Sequence, residues 1–558
     1  MTLTDWLVLL LTLGGVVGYG LWKGRASKRN IEGYLLADRK LPWYHVTLSV
    51  MATQASAITF LSAPGQAYTD GMRFVQFYFG LPLAMIVISV TFIPLFKRLK
   101  VFTAYQFLEE RFDTKTRVLT SFLFLIPRAL STGVTIAAPS IILTAILGWD
   151  LFWTNILTGT VVTLYCIFGG SKTISYTQLQ QMFVVLTGMF LAGYMCVHLM
   201  PSNMGFSDSL KVAGKMGKLN VLDWKLDFSN RYNVWSGLIG GFFLQLSYFG
   251  TDQSQVGRYL SGESVGESRL GLLMNGMLKI PMQFFILMVG ALVFVFYQFE
   301  QPPLFFNQTE LAKVEGAPQY LALKNYNDSI FQQKEIAVSN LTNAIKTNDE
   351  PQVVALTRQV QLLNKETDTL RKRVKNLINK GKSKAEQKDD TNYIFLSFVT
   401  KYLPVGLVGL LIAVILLASM GSMASAFSSL TSCTVVDIYQ RFIKTDGSEQ
   451  HYFQFSRWAT FGWGIFCIIV AQFSANVGSL IEAVNILGSW FYGTILGVFL
   501  VAFYLKNVKG DAVFWAALCA EAIVIYCWWI DLTAFLWLNL IGCVCVVFFA
   551  LLFGLFRK

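Results

Sequence analysis

Between Val46 and Gly65 the chain reads Val-Thr-Leu-Ser-Val-Met-Ala-Thr-Gln-Ala-Ser-Ala-Ile-Thr-Phe-Leu-Ser-Ala-Pro-Gly, an apolar stretch carrying Thr47, Ser49, Thr53, Gln54, Ser56, Thr59 and Ser62. Hydroxyl and amide groups facing hydrocarbon cost kcal/mol unless they are paired. Two readings are open. The hydroxyls can hold helices together in a bundle, or the helix can unwind near the membrane centre and offer freed carbonyls to a small ion. A second polar run, Leu417-Ala-Ser-Met-Gly-Ser-Met-Ala-Ser-Ala-Phe-Ser-Ser-Leu-Thr-Ser432, has the same two readings: close packing, or hydroxyl oxygens for a hard cation such as sodium. The third chemical signal is Arg128, eleven residues beyond Arg117. At about 1.5 Å per residue that is roughly half a bilayer core. A guanidinium at that depth requires an anion: an internal carboxylate, for which Asp252 is the best candidate although it falls toward the cytoplasmic end of its helix, or the carboxylate of a solute.

The elements that must position these residues are membrane helices. Of 558 residues 54% are hydrophobic and 14% charged, with mean hydropathy +0.51, which defines an all-α polytopic membrane protein. A crossing needs about 20 apolar residues. Thirteen segments qualify: 4–22, 43–69, 74–97, 117–147, 150–168, 174–199, 233–256, 270–298, 402–435, 455–474, 479–505, 511–530 and 533–556. The first is too long, and too poorly preceded by positive charge, for a cleaved signal peptide. The seventh, through Gly240-Gly-Phe-Phe-Leu-Gln-Leu-Ser-Tyr-Phe-Gly-Thr-Asp-Gln-Ser-Gln-Val-Gly-Arg258, is again interrupted by glycine and polar groups. Two interrupted helices, each opening a set of five (43–199 and 233–505), point to an inverted repeat with its site between them, plus one extra helix before and two after.

Residues 299–393 break the hydrophobic pattern and divide the chain into membrane parts 1–298 and 394–558. Val353, Leu356, Val360, Leu363, Leu370, Val374 and Leu377 lie near heptad spacing, with Val338, Leu341 and Ile345 upstream, so the insertion reads as a helical hairpin outside the membrane. It is either a docking element for an extracytoplasmic protein partner or a solvated insertion. Lys23, Arg25, Lys28, Arg29, Arg39 and Lys40 after the first helix, and Lys97, Arg98, Lys100, Arg111, Lys115 and Arg117 after the third, place those loops in the cytoplasm. The N-terminus is then outside and Arg557-Lys558 cytoplasmic, in a cell membrane; only loop 200–232, with five basic residues, dissents. The net charge of +12 is accordingly a topology signal plus attraction to anionic lipid, with no basic domain for nucleic acid. The eight cysteines fall in predicted spans, and no Walker loop, dinucleotide fingerprint or nucleophilic triad is present, so no enzyme is expected.

Four stretches, in order and spacing, resemble the sodium/solute symporter family, whose members have the LeuT-type 5+5 inverted-repeat fold. They are Phe102-Thr-Ala-Tyr-Gln-Phe-Leu-Glu-Glu-Arg-Phe112, Gly169-Gly-Ser-Lys-Thr-Ile-Ser-Tyr-Thr-Gln-Leu-Gln-Gln181, Gly250-Thr-Asp-Gln-Ser-Gln-Val-Gly-Arg-Tyr-Leu260, and the serine-rich helix closing in Asp437-Ile-Tyr439. The resemblance covers the membrane part and not 299–393. It implies a sodium site on the carbonyls of Ala52, Ala55 and Ala418 and the hydroxyl of Ser422. Gly421 stands where the family has a second hydroxyl, and either a water or Ser425, one turn on, would supply the missing oxygen. Gln178 occupies the aspartate position of the family's extra sodium site, and Ala424 replaces one of its serines, so the expectation is one coupling ion, sodium, with a proton as the alternative.

Among family members the sialic-acid symporters resemble the chain most. That resemblance assigns Ser56 and Thr59 to the substrate and Arg128, on the helix of the family's arginine, to its carboxylate; Gln54 and Gln253 are taken as further substrate contacts, and Ser254 stands at the position of the galactose symporters' gate tyrosine. The galactose symporters' Glu-Gln pair is replaced by Ile58-Thr59. The implied function is symport of a small organic anion, such as a sialic-acid-like carboxylated sugar, by alternating access. The alternatives are a neutral sugar, polyol or vitamin symporter, and a transport-dead sensor or scaffold working through the 299–393 hairpin.

Overall fold

The computed structural model describes residues 1–24, 30–382, 387–474 and 480–556. Arg25, Lys28, Arg29, Arg557 and Lys558, used above for orientation, lie outside the described residues. The first helix, α1 (Leu3–Gly24), is followed by a helix interrupted at its middle: α2 (Trp43–Gln54) and α3 (Ala57–Asp70). Next come α4 (Leu81–Leu99), α5 (Thr114–Leu147) and α6 (Leu151–His198). At 48 residues α6 would run about 70 Å if straight, more than twice a bilayer core. It instead turns at Gly170, whose φ of +62° and ψ of −177° only glycine adopts cheaply. A second interrupted pair, α7 (Gly241–Gly250) and α8 (Gln253–Leu260), leads into α9 (Val265–Phe299).

After the insertion the chain continues through α12 (Leu407–Ser432), α13 (Glu449–Phe473), α14 (Leu480–Tyr504), α15 (Gly510–Trp529) and α16 (Phe535–Phe556). The insertion itself holds α10 (Pro318–Thr347) and α11 (Glu350–Ile378), packed side by side. They are joined at Asn348, which takes a left-handed φ of 54°, and Asp349, whose carboxylate caps Gln352 N–H at 3.2 Å. Val338, Leu341 and Ile345 of α10 and Val353, Val360, Leu363, Leu370 and Val374 of α11 are all buried, with Leu356 and Leu377 partly buried beside them. Nine helices among the described residues are each long and apolar enough to cross a membrane. That number takes residues 57–99, which include α3, and 151–198 once each, and omits α2, the second interrupted pair α7–α8 and α13.

Two of the four sequence stretches meet at one end of the bundle. Arg117 at the start of α5 pairs with Asp437 (2.7 Å) and Glu109 (2.6 Å) and donates to the Val436 carbonyl at 2.8 Å. Thr103 donates to Asp437 at 2.7 Å, and Arg441 pairs with Glu109 at 2.7 Å. This network fixes the Phe102–Phe112 segment to the foot of α12, and with it the start of α5. The Gly169–Gln181 stretch contains the turn of α6, where the Gly170 backbone lies against Tyr34.

Gly170→Ala should place a Cβ 3.1 Å from the Tyr34 ring while holding a positive φ with extended ψ, a conformation nearly confined to glycine that costs an ordinary residue about 1–3 kcal/mol. A lower melting temperature in detergent, without loss of helix content by circular dichroism before the transition, is the expected outcome.

Candidate ion and substrate site

The centre of the molecule is the gap between α2 and α3. The last helical bond of α2 runs from Ala55 N–H to the Met51 carbonyl (2.8 Å). Ser56 N–H then turns back to Gln54 (3.1 Å) and Thr59 N–H to Ser56 (2.9 Å), so among the described residues no backbone donor closes on the carbonyls of Ala52 or Ala55. Both residues are buried. A buried carbonyl without a donor is costly unless something electropositive faces it.

The facing element is α12, in which Ala418 and Ser422 are buried one turn apart. The Ser422 hydroxyl donates to the carbonyls of Ser419 (3.1 Å) and Ala418 (3.3 Å), leaving its oxygen lone pairs available to a cation. Thr53 and Ser425 hydroxyls meet at 2.8 Å and clamp the end of α2 onto α12. The structure therefore packs α2 against α12 at Thr53 and Ser425, with Ser425 also bonded to the Gly421 carbonyl (3.1 Å).

Gln178 of α6 completes this cluster. Its Oε1 accepts from Ser49 (2.5 Å), and its Nε2 donates to the Gly421 carbonyl (2.9 Å), Ser425 (2.8 Å) and Thr53 (3.3 Å). The carboxamide N–H groups aimed at these oxygens bring no negative charge to the cluster. Beside it, neither amide atom of buried Gln181 has a partner, and a Cβ on Gly421 would come within 2.4 Å of Gln181 Oε1. That oxygen ends a flexible side chain with no bond to lose, so a serine at 421 can be accommodated by its displacement.

The substrate candidates divide. Gln54, with a buried Oε1 lacking a partner, half-buried Ser56 and buried Thr59 line the interruption itself. Arg128, for which the sequence left an internal acid and a solute carboxylate open, forms an ion pair with Asp252 and donates to the Tyr492 hydroxyl (3.2 Å), with its guanidinium 5.6 Å from the Tyr248 ring centroid. The reason is the second interruption. Asp252 is the N-cap of α8 inside the bundle rather than a residue near the end of a continuous helix. Its other oxygen accepts from Ser254 N–H (2.8 Å) and Ser254 hydroxyl (2.6 Å), so Ser254 holds the carboxylate that Arg128 uses.

Gln253 is not in this group. Its Nε2 donates to the Phe102 carbonyl (2.8 Å) and its Oε1 accepts from Ala104 N–H (3.1 Å), which makes it a tie between α8 and the Phe102–Phe112 segment. The expected substrate contact at Gln253 is therefore corrected: both ends of its amide are committed to backbone.

One residue with an equal claim went unread in the sequence. Lys279 of α9 is fully buried, its Nζ has no hydrogen-bond partner among the described residues, and it lies 5.7 Å from the Tyr78 ring centroid. Asn275 and Gln283, on the same face one turn either side, also carry unpartnered polar atoms. Gly271 of α9 packs against Val46, and Gly290 against Pro64, so Lys279 lies level with the α2–α3 gap. The available signal was a single lysine deep inside the apolar run 270–298.

An interrupted helix with free carbonyls, faced by a hydroxyl-rich helix and by buried charged groups at a second interruption, defines a secondary-transporter site. A model of the sodium:solute symporter family matches residues 34–313 and 375–520, and the chain belongs to that family of transporters. It is 30% identical over 324 residues to the human sodium/iodide cotransporter, covering 57% of this chain and 48% of that protein. It is 31% identical over 279 residues to the Xenopus laevis sodium-coupled monocarboxylate transporter 1, covering 49% and 44%. The chain thus spans about half the length of these relatives. A solved structure of a Na+-coupled sialic acid symporter, in a substrate-bound outward-open state, superposes with a TM-score of 0.76 at 20% identity, covering 100% of this chain and 98% of that one. The two share the fold.

Ser422→Ala removes the one side-chain hydroxyl among the four proposed ion ligands. Sodium-dependent thermal stabilisation should weaken at least about tenfold in apparent affinity, or about 1.4 kcal/mol. Gly421→Ser should strengthen it. Unchanged sodium titrations in both variants would remove the ion from this position.

Proposed function

We propose that the protein is a sodium-coupled symporter that takes up a small organic anion, of the carboxylated-sugar type, by alternating access. In this reading thirteen crossings place the N-terminus outside and the C-terminus in the cytoplasm. One sodium binds the carbonyls of Ala52, Ala55 and Ala418 and the hydroxyl of Ser422. Family membership supports the cation coupling. The Gln178 carboxamide supports a single ion, since nothing anionic in that cluster would hold another.

The observation that carries the anionic substrate is Lys279, a buried lysine level with the gap whose Nζ has no hydrogen-bond partner among the described residues. An isolated charge in such a place is costly, and a carboxylate arriving from solution would offset its desolvation. Arg128 contributes to the field of the site, while Asp252 neutralises it. Gln54, Ser56 and Thr59 then face the rest of the solute. The names of two relatives, iodide and monocarboxylate transporters, agree with a negatively charged solute. The Arg128–Asp252 pair favours the second reading, a neutral sugar, polyol or vitamin, because it leaves the guanidinium no unsatisfied charge to offer.

A carboxylated sugar and its neutral methyl ester separate the two. Uptake into proteoliposomes should be sodium-dependent for the acid and at least about tenfold weaker for the ester, the 1.4 kcal/mol of one charge-assisted bond. Lys279→Gln should erase that preference. Equal handling of acid and ester by the unmodified protein would sink the anionic reading.

Arg128→Ala leaves Asp252 buried without its cation, which costs about 3–5 kcal/mol, and should destabilise the fold. The double variant Arg128→Gln with Asp252→Asn removes both charges and should recover most of the melting temperature. Failure of the double variant to recover would show that the pair is held by more than mutual neutralisation.

A further inference from the structure

The family model leaves residues 314–374 unmatched, so the α10–α11 hairpin is an addition to the fold. Beneath it lies a partly open cavity of about 300 Å³, lined by the hairpin, the far end of α3, the end of α9 and residues 302–305, Lys218 of the 200–232 loop and residues 389–391. Taking about 30 Å³ per water, this space holds on the order of ten non-hydrogen atoms.

Its charges do not balance. Arg371 of α11 pairs with Asp390 (2.8 Å) and Lys375 pairs with Asp389. Those pairs leave Lys218, Lys334 and Lys372 facing Asp70 and Asp368 around the same space. Lys334 interrupts the buried stripe of α10 that otherwise reads Ile330, Ala337, Val338 and Leu341. It is only 2% exposed, lines the cavity, and has no hydrogen bond or ion pair among the described residues. Arg371 Nε, likewise buried, has no partner. Lys218 donates to the carbonyls of Tyr68 (2.7 Å) and Thr69 (2.6 Å), so one cation of the cavity is attached to the last turn of α3. Burial pushes the Lys218 and Lys334 ammonium groups down to about 8, partly opposed by Asp368, and both therefore carry charge at pH 7.

We propose that this cavity is a binding site for a small carboxylate of about ten non-hydrogen atoms or fewer, held between Lys334 on the hairpin and Lys218 on the end of α3. The site is separate from the α2–α3 gap, and its placement outside the membrane rests on the proposed orientation. Its occupant acts on α3. Asp389 and Asp390, tied to α11, continue directly into Thr391, whose carbonyl lies 2.1 Å from where a Cβ on Gly65 would be. Asn392 then accepts from the Ser62 hydroxyl at 2.6 Å. A carboxylate bridging the two lysines fastens the hairpin onto α3 on one side as these residues do on the other.

The test is thermal unfolding of the full-length protein in detergent at pH 7, with potassium as the only alkali cation so that the sodium position plays no part. Potassium lactate is titrated against potassium chloride at equal ionic strength. The expected result is a saturable rise in melting temperature with lactate. Lys334→Met should weaken that response at least tenfold while raising the melting temperature of the unliganded protein, because an unpaired buried charge is gone. Lys334→Arg should keep the response, and so should Lys279→Gln. No lactate response up to about 100 mM, a hundred times a millimolar Kd, overturns the proposal. So does a response that survives Lys334→Met or disappears with Lys279→Gln. Sodium-driven uptake of the acid by the unmodified protein is measured separately: its absence defeats the transport reading alone, and its presence without a lactate response defeats this site alone.

Discussion

A helix cannot stop and restart inside hydrocarbon unless its loose carbonyls are answered, and the protein is arranged around that requirement at Ala52 and Ala55. Water would answer them in a soluble protein. In a bilayer the answer has to come from neighbouring protein or a bound cation. Hence α12 presents hydroxyls instead of leucines along Ala418–Ser432, and hence Thr53 and Ser425 clamp the two elements. Gln178 enters from α6 to tie Ser49, Thr53, Ser425 and the Gly421 carbonyl together. The small residues of this region follow from the same need, since only small side chains let three helices approach closely enough to share hydrogen bonds.

The second interruption answers its own polar groups differently. Asp252 caps α8 through Ser254 and takes its counter-charge from Arg128 across the bundle, with Tyr492 donating to the same carboxylate oxygen at 2.9 Å. A buried pair of this kind adds little net stability, because its attraction is spent against the desolvation of both ions. It does specify geometry. Arg128 on α5, Asp252 at the α7–α8 junction and Tyr492 on α14 have to lie together or leave a bare charge. Three elements distant in sequence are thereby held in one register.

Much of this was legible in the residues. Threonine, glutamine and serine crowded into an apolar run are hard to explain except at an interruption or a helix seam, and the α2–α3 gap falls among them. The heptad spacing in 338–377 likewise follows the seam of α10 and α11. What could not be read depends on where a helix breaks. Counting along an unbroken helix carries Asp252 toward the cytoplasmic end and away from Arg128; the break at Thr251 returns it to the interior. Gln253, one position on, was taken for a solute contact, yet the restart of the helix turns it toward Phe102 and Ala104. Lys279 escaped because one lysine makes no motif, and its meaning depends on partners that only packing can deny it.

Coupling in the proposed reading follows from how the two sites share α2 and α3. The carbonyls of Ala52 and Ala55 point to the ion, and the side chains of Gln54, Ser56 and Thr59, interleaved with them, line the gap on the solute side. Any shift of these five residues that weakens one site alters the other, so ion and solute must each favour the backbone arrangement the other requires. The far end of the same helix is α3's last turn, held by Lys218 and by the segment that leaves the hairpin. A motion of α3 that opens the gap must also move Thr391 off Gly65, since no side chain separates them. The hairpin, through the segment 389–392 that leaves it, thus bears on the α3 half of the interrupted helix whose other end lines the gap.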